Sequence, residues 1–489
     1  MSFSDGMIID SDNPLTRVDS TGGTSPEALL SSLVTVQQEY SLMNCKSLEA
    51  HDEACLDFPG GNTRTVLHTS PFPITFSRGE GAELTSLDGK VYVDFLGEYT
   101  AGIYGHSNKK IKEAVREAMG IGWNFGGPNL YERELARKVT RRFAPSGIEL
   151  VRFTNSGTES NTMALAAAVA FTKRKNILVL KNGYHGGTLS FPLSLNAINT
   201  NLPHDFVLAP YNDIEGTKSA LSFIPRGSSA AILVEGVQGS GGCVVGNPEF
   251  LHFLNTTAHE LGALFIMDEV MTSRLAYHGF SASLGLKPDL ITLGKWVGGG
   301  MTFGAFGGRR DVMSQFDPQI GVLGHSGTFN NNVVTMAAGC VGLDIYNEAE
   351  VERLNALGNE LRHSIEDLLL EYEIRALRAG SKSISFTAEK RELECPFYGI
   401  VPSGKRIPAS QLQKNSMGVT GQGSMLAVHF YGPSEKILLS LFWHYMLSCG
   451  IYIAARGFIT LNLELTKEHV VKFVESTRGF IIRYQDALK

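Results

Sequence analysis

Two residues near the middle of the chain have types and positions that suit amino-group chemistry. Asp268 closes the apolar run 263–267, and Lys295 closes the next run, 289–294. Each run is typical of a buried strand, and the carboxyl ends of neighbouring parallel strands converge on one crevice. A lysine amine can form a Schiff base with the aldehyde of pyridoxal phosphate, and an aspartate can keep its pyridine nitrogen protonated. The pair therefore predicts catalysis on amino groups.

The same two residues have a simpler interpretation, in which Asp268 caps a turn and Lys295 is an ordinary surface amine. For the pair alone that interpretation is favoured, because structural ion pairs are common. The surrounding sequence reverses the preference. Lys295 leads into a glycine-rich segment, 298–308, whose backbone must bend sharply or approach a ligand closely. A solvated lysine would not need such a segment.

The motif NSGTE at 155–159 joins a predicted strand to an alanine-rich helix. Free N–H groups and the macrodipole make a helix N-terminus an anion site. Ser156, Gly157 and Thr158 are therefore predicted to bind a phosphate. Ser156 and Glu159 also have the spacing of a helix capping box, and the two interpretations are compatible.

Three further residues are candidates for contacts with a flat phosphorylated cofactor. Tyr184 follows the predicted strand 176–180 and can stack on one face of a ring, while Val270, two residues past Asp268, can cover the other face. A plain core role is equally possible for both. Thr328, in a loop before an apolar helix, offers a hydroxyl for phosphate, although ordinary turn chemistry also explains such a loop.

A substrate carboxylate calls for a fixed cation, because the arginine fork matches a carboxylate bidentately. Arg64 and Arg456 are the candidates. Most arginines are solvated, so local sequence alone favours a surface role for either. Arg456 gains support because it interrupts an apolar strand context, where an idle charge would be costly.

Composition restricts the class of protein. The chain has 489 residues, 43% of them hydrophobic and 19% charged, with a formal net charge of −6. These values predict a soluble globular protein of two or more domains, without the basic surface that nucleic acid requires. The six cysteines lack CxxC spacing, so neither a zinc site nor a disulfide framework is expected. No apolar stretch suggests a membrane span or signal peptide, and a cytoplasmic location is predicted.

Alternating helix and strand patterns between 109 and 345 predict an α/β fold with a mostly parallel sheet covered by helices. The helices and strands predicted there include 109–119, 150–154, 159–173, 176–180 and 230–235. Before residue 109 the sequence predicts a helix at 26–46 and strands at 74–76, 83–89 and 91–95, with an Asp-Gly turn. After residue 345 it predicts helices near 349–372, from 434 to Gly450 and from 467, and strands at 451–453 and 458–463.

These patterns divide the chain into regions. Residues 1–25 are expected to be a disordered lead, and 26–108 an N-terminal segment that forms part of a small domain. The large cofactor-binding domain is 109–345, and 346–489 completes the small domain. The polar segment of about 379–422 is expected to be a loop, with an insertion at about 379–415 that is preferred over a lid.

With the residues named above taken together, the chain from about 57 to 486 resembles the class III aminotransferases, and within them the bacterial β-phenylalanine aminotransferases. It is also similar to the glutamate-1-semialdehyde aminomutases. The motifs that carry the resemblance are PGGNTR at 59–64, FLGEYTAG at 95–102, YGHS at 104–107, VRFTNSGTE at 151–159, GYHGG at 183–187, DEVMTSR at 268–274, LGK at 293–295 and GTFNNN at 327–332.

The resemblance implies fold type I, with a large domain and a small α+β domain built from both chain ends, and the cofactor pyridoxal 5'-phosphate (PLP). Lys295 would carry the cofactor and Asp268 would contact its pyridinium nitrogen. The other cofactor-binding residues expected are Ser156, Gly157, Thr158, Tyr184, Glu235 and Val270. Thr328 would reach the phosphate of the neighbouring subunit, which implies a homodimer with shared active sites.

By the same resemblance Arg64 would hold the carboxylate of a β-amino acid, and Arg456 that of an α-keto or α-amino acid. Glu98 and Tyr99 would form the pocket wall. The chain departs from the family after Glu235, where Gly236 stands in place of the usual proline, so a loop near the cofactor is expected to differ.

The leading hypothesis is an aminotransferase that moves an amino group from a β-amino acid, with an aromatic one favoured, to a small α-keto acid in two half-reactions. One alternative is a 1,2-aminomutase, which uses the same residues without an external acceptor. A second is a non-catalytic dimeric homologue.

Overall fold

The structure, a computed structural model, describes residues 25–191, 199–321, 323–374, 398–400, 406–408 and 414–488. Its centre is a seven-stranded sheet. In sheet order the strands are Leu150–Thr154, Gly304–Gly308, Leu290–Gly294, Leu264–Asp268, Ser229–Glu235, Asn176–Leu180 and Asp205–Ala209. Only Gly304–Gly308 runs antiparallel to its neighbours. The predicted mostly parallel α/β sheet is confirmed.

Both faces of this sheet are covered, which explains why its central strands are apolar on both sides. Ser229–Glu235, Leu264–Asp268 and Leu290–Gly294 are buried along their whole length. The helices that accompany the sheet in sequence are Lys109–Ile121, Leu130–Phe143, Gly157–Thr172, Ile214–Leu221, Pro248–Glu260, Phe280–Ser283, Arg310–Met313 and Val333–Ile345. Two short hairpins lie between them, Gly183–Tyr184 with Ser190–Phe191 and Val237–Gln238 with Val244–Val245.

A smaller sheet joins segments from the N-terminal and C-terminal parts of the chain. Its antiparallel strands Phe76–Glu80, Glu83–Ser86 and Val91–Asp94 are joined in parallel by Ile451–Tyr452. The predicted Asp-Gly turn is present, because Gly89 has φ 81° and donates its N–H to the carbonyl of Ser86. The N-terminal and C-terminal parts of the chain thus share one sheet, while the domain boundaries remain a prediction.

A third sheet contains Ser416–Gln422, Met425–Tyr431 and Phe458–Thr460. The helices of this part are Glu348–Glu371, Glu435–Ser448, Lys467–Arg483 and Gln485–Leu488. A further pair of short strands, Tyr398–Ile400 and Arg406–Pro408, is antiparallel.

Two predictions about these elements were wrong in part. The loop predicted to extend to 422 ends earlier, because Ser416–Gln422 pairs along its length with Met425–Tyr431 despite two glycines. The strand predicted at 458–463 ends at Thr460, after which the side chain of Asn462 donates to the carbonyl of Asp94. The rest of the predicted insertion at 379–415 lies mainly outside the described residues.

The helix predicted at 26–46 is two helices, Pro26–Met43 and Cys45–Ala54. The break falls at Asn44, where the Asp88 carboxylate accepts the N–H groups of Lys46 and Ser47 and so caps the second helix. The predicted disordered lead, 1–25, lies outside the described residues except for Ser25, which caps the first helix. None of the described helices is long and apolar enough to cross a membrane.

Candidate active site

Asp268 and Lys295 lie at the ends of neighbouring strands, at the same edge of the central sheet. The strands Leu264–Asp268 and Leu290–Gly294 are parallel neighbours, and Asp268 is paired with Thr292. Lys295 therefore lies three residues past the position that pairs with Asp268, just beyond the end of the Asp268 strand. The predicted convergence of a carboxylate and an amine at one edge follows from this register.

Four groups surround the buried carboxylate of Asp268. Its Oδ2 accepts hydrogen bonds from Asn161 Nδ2 at 2.8 Å and from His185 Nδ1 at 2.8 Å. Its Oδ1 accepts the N–H of Val270 at 3.0 Å and lies 3.3 Å from the hydroxyl of Thr292. These contacts hold the carboxylate in one orientation.

The hydrogen bonds leave Asp268 one free acceptor position. A threonine hydroxyl has one hydrogen, and Thr292 lies closer to Asn161 Oδ1, at 2.8 Å, than to Asp268 Oδ1. If Thr292 donates to Asn161, Asp268 Oδ1 keeps a lone pair for a further N–H donor. The site is thus built to accept one more hydrogen bond at this atom.

The amine of Lys295 lies at a sharp bend. The residue has φ 54°, and its Nζ donates to the backbone carbonyl of Tyr99 at 2.7 Å. Burial, assisted by the positive charge of Arg64, lowers the pKa of Lys295 to about 8. A larger fraction of this amine than of a solvated lysine is therefore unprotonated, and available as a nucleophile or base, near neutral pH.

The carbonyl that holds Lys295 belongs to a strained segment, Gly97–Thr100. All four residues have positive φ, between 49° and 84°, although three of them are not glycine. The segment is anchored because Asp94 Oδ1 accepts the N–H groups of Leu96 and Gly97. A Cβ at Gly97 would lie 2.5 Å from Thr460 Oγ1, so only glycine fits there. The surrounding structure thus holds a conformation that these residues rarely adopt.

The two candidate arginines lie beside the same aromatic ring. The guanidinium carbons of Arg64 and Arg456 are 5.6 Å and 5.3 Å from the ring centroid of Tyr99. Arg64 forms an ion pair with Glu98, and Arg456 donates to Ser240 Oγ at 3.1 Å. The four predicted substrate residues, Arg64, Glu98, Tyr99 and Arg456, therefore form one cluster around the carbonyl that holds Lys295.

The predicted phosphate motif lies at the start of the helix Gly157–Thr172. Ser156 is its N-cap and accepts the N–H of Glu159 at 3.2 Å. Glu159 reaches the N–H of Asn155 at 3.0 Å rather than that of Ser156, so the predicted capping box is only half formed. Within the described part of the chain, the N–H groups of Gly157 and Thr158 have no acceptor, as expected of a first turn that is open to an anion.

The glycine of this motif permits a close approach. A Cβ at Gly157 would lie 2.8 Å from Val270 Cγ1, so the helix start packs directly on a residue two positions past the Asp268 strand. Val270 is buried at this contact. On the other side, a Cβ at Gly186 would lie 2.3 Å from Thr158 Oγ1. The phosphate motif and the Asp268 strand are thus in direct contact.

The remaining predicted residues have different surroundings. Tyr184 is exposed, and its N–H donates to Glu235 at 2.9 Å. Glu235 is buried, also accepts the N–H of Gly239 at 3.2 Å, and has its pKa raised to about 7 by burial. Thr328 is exposed and makes no hydrogen bond to the described residues of its own chain. Glu235 thus positions the Tyr184 backbone, whereas Thr328 is not brought to the Lys295 site.

These features can be compared with known proteins. The model of the family Aminotransferase class-III matches residues 66–395. The chain belongs to the class III aminotransferases. The protein is therefore an enzyme with a PLP-dependent fold type I architecture, and its cofactor is pyridoxal 5'-phosphate.

Individual relatives cover most of the chain. A β-phenylalanine transaminase of Variovorax paradoxus is 41% identical, over 93% of this chain and 96% of that protein. The solved structure of a β-phenylalanine aminotransferase from Variovorax paradoxus has a TM-score of 0.83 at 39% identity, and covers 94% of this chain and 99% of that one. A glutamate-1-semialdehyde 2,1-aminomutase of Methanosarcina acetivorans is 33% identical over 76% of this chain and 93% of that protein.

The residues present fit PLP. The free acceptor position on Asp268 suits a protonated ring nitrogen, and the free N–H groups of Gly157 and Thr158 suit a phosphate. The amine of Lys295, with its lowered pKa, suits an aldehyde. Donors and acceptors of the right kind are therefore present for all three polar parts of the cofactor.

Several residues of this site were missed by sequence analysis. Asn161 and His185 donate to Asp268, Thr292 lies beside its Oδ1, and Ser240 contacts Arg456. His185 lies within the GYHGG motif, from which only its neighbour Tyr184 was predicted to contact the cofactor. The others had no sequence signal, because each depends on a contact between distant segments.

Proposed function

We propose that the protein transfers the amino group of a β-amino acid, with an aromatic one favoured, to a small α-keto acid such as 2-oxoglutarate or pyruvate. The transfer proceeds in two half-reactions that use the same site in turn. The name of the Variovorax relative supports the donor class.

One observation carries the proposal: a single lysine amine adjoins two arginines that share one aromatic ring. Lys295 donates a hydrogen bond to the carbonyl of Tyr99, and Arg64 and Arg456 both lie beside the ring of Tyr99. A two-step transfer brings a different carboxylate to the same site in each step. Arg64 is assigned to the β-amino acid and Arg456 to the keto acid, since an arginine fork suits a carboxylate.

The residues of the site divide the work. When bound, PLP supplies an aldehyde that accepts the amino group and a ring that takes up the negative charge of the substrate carbon. Asp268 would hold the ring nitrogen in its protonated form. Lys295, once released by the incoming amine, would act as the general base and move the proton at the substrate carbon. Its pKa of about 8 leaves a usable fraction of free amine near neutral pH.

The donor class is tested by titrating the purified enzyme with 3-amino-3-phenylpropanoate in the absence of a keto acid. We expect the visible band of the bound cofactor to disappear, with about one equivalent of ketone product per site, since only one half-reaction can proceed. A persistent band would reject this donor. Migration of an amino group within one molecule, without any keto acid, would instead support the aminomutase alternative.

The protein is further proposed to act as a homodimer with shared active sites. Large apolar side chains are exposed close to Thr328, with Trp123 at 60%, Leu130 at 79% and Phe329 at 59%. Leu130 lines a groove of about 940 Å³ together with Gly327, next to Thr328. Such a surface favours a partner, and a second copy would bring Thr328 to the neighbouring phosphate.

Sedimentation equilibrium tests the dimer. We expect a mass of twice 53.1 kDa at micromolar concentration, because the exposed apolar groove would be covered by the second subunit. The double substitution Trp123→Ser and Leu130→Ser should shift the equilibrium towards the single subunit, while Phe223→Ser, at an exposed site elsewhere, should not. A wild-type mass of 53.1 kDa would contradict the proposal.

A further inference from the structure

The two arginines of the site differ in how their charge is matched. Arg64 forms an ion pair with Glu98. Arg456 is paired with no carboxylate of the described residues, and instead contacts Ser240 and the rings of Tyr99 and Phe458. A substrate carboxylate would therefore find Arg456 available and Arg64 already engaged.

The ion pair between Arg64 and Glu98 is weak enough for another carboxylate to replace Glu98. The side chains are 42% and 56% exposed, so water solvates both partners. Exposed ion pairs contribute little to stability because solvent screens them and both side chains lose freedom. A ligand carboxylate that reaches Arg64 can thus replace Glu98, whose own carboxylate returns to water.

The backbone explains why Glu98 stays close to Arg64 all the same. Glu98 lies in the strained segment Gly97–Thr100, with φ 49° and ψ 42°. The same segment presents the carbonyl of Tyr99 to Lys295 at 2.7 Å. The position of the Glu98 side chain is therefore tied to the element that positions the reactive amine. Its carboxylate is held at the arginine without the ordering cost that a flexible loop would incur.

We propose that Glu98 is a resident competitor for the donor carboxylate at Arg64. It occupies the arginine in the empty site and leaves when the substrate carboxylate binds. Glu98 thus weakens donor binding, because a substrate carboxylate must displace it from Arg64. This inference rests on the proposed assignment of Arg64 to the donor carboxylate.

An orienting role for Glu98 makes the opposite prediction. If Glu98 served only to hold the Arg64 fork in place for the substrate, its removal would weaken carboxylate binding, since a free arginine would have to be ordered on binding. Under competition, removal of the charge strengthens binding. The sign of the change therefore separates the two roles.

The variant Glu98→Gln tests the proposal. Glutamine keeps the length of the side chain and the same backbone requirement, and the position is more than half exposed, so the fold should be retained. The probe is 3-phenylpropanoate, a carboxylate without an amine, titrated into the purified holoenzyme by calorimetry. We expect its Kd to fall about 3- to 5-fold, the range of an exposed ion pair.

Two controls assign the effect to Arg64. The neutral 3-phenylpropanamide should bind equally to both forms. In an Arg64→Ala background, the Glu98→Gln substitution should leave the Kd of 3-phenylpropanoate unchanged, because the competition has been removed. An unchanged or raised Kd in the single variant, or an equal fall in the Arg64→Ala background, would overturn the proposal.

A kinetic comparison extends the test to the two half-reactions. The KM of the β-amino donor should fall in Glu98→Gln, whereas the KM of the keto-acid acceptor, assigned to Arg456, should not change. The calorimetry requires no turnover, so it remains decisive if the β-amino acid proves not to be a donor. Failure of the donor assignment and failure of the competition are thus seen in different measurements.

Discussion

Replacing Lys295 by alanine is expected to lower turnover about 10⁴-fold, because one residue supplies both the nucleophile and the general base. The loss corresponds to about 5 kcal/mol of barrier. Alanine also removes the hydrogen bond to the carbonyl of Tyr99. The measurement is the single-turnover rate of donor conversion by enzyme saturated with PLP.

A second readout separates lost chemistry from lost binding. After borohydride reduction, the wild-type chain should gain the mass of the cofactor and Lys295→Ala should not, although the variant still binds PLP at the helix Gly157–Thr172. The matched control is Lys287→Ala, an exposed lysine that precedes the same strand. It should retain full turnover. Normal turnover by Lys295→Ala would exclude the proposed mechanism.

Methylamine should restore part of the activity of Lys295→Ala, because a small amine can enter the space left by the side chain and act as the base. Rescue that depends on the concentration of the free amine would show that proton transfer is the missing step. This result would not be expected if the substitution had only disturbed the fold.

The parts of this site that the sequence predicts are those with local signals. A strand buried on both faces appears as an apolar run, so the ends of the strands at Asp268 and Lys295 are visible in the sequence. The start of the helix Gly157–Thr172 is marked by Ser156, a common N-cap residue. Because parallel strands end at one edge, these local predictions also place the residues together.

Contacts between distant segments could not be predicted in this way. The bond from Lys295 to Tyr99 spans 196 residues, and the one from Arg456 to Ser240 spans 216. The positive φ angles of Glu98 and Tyr99 oppose their own preferences and exist only because surrounding groups hold them. Family resemblance placed both residues at the pocket wall but did not predict this conformation.

Strand Ser416–Gln422 shows a related limit at the level of the fold. Its glycines and polar residues are weak strand formers, so the sequence predicted a loop. Pairing with Met425–Tyr431 over seven residues outweighs that preference. Tertiary context thus decided the structure where local propensity was low.

The substitution Asp268→Asn is expected to lower turnover about 10³-fold, since it removes a preorganised negative charge from a buried site. Asparagine has nearly the same shape, so packing is preserved. Its amide offers hydrogens where Asn161 and His185 already donate. Because these buried donors would be left without an acceptor, the free energy of unfolding should also fall, by about 1–3 kcal/mol.

The comparison variant Thr292→Val separates the charge of Asp268 from the packing around it. Its hydroxyl lies 3.3 Å from Asp268 and 2.8 Å from Asn161, so its removal disturbs the same network without altering the carboxylate. We expect a loss of about 10-fold, the size of one buried hydrogen bond. If both variants lost turnover equally, Asp268 would serve only to order its neighbours. A much larger loss in Asp268→Asn, with both proteins still folded by circular dichroism, requires that the negative charge itself acts on the bound cofactor.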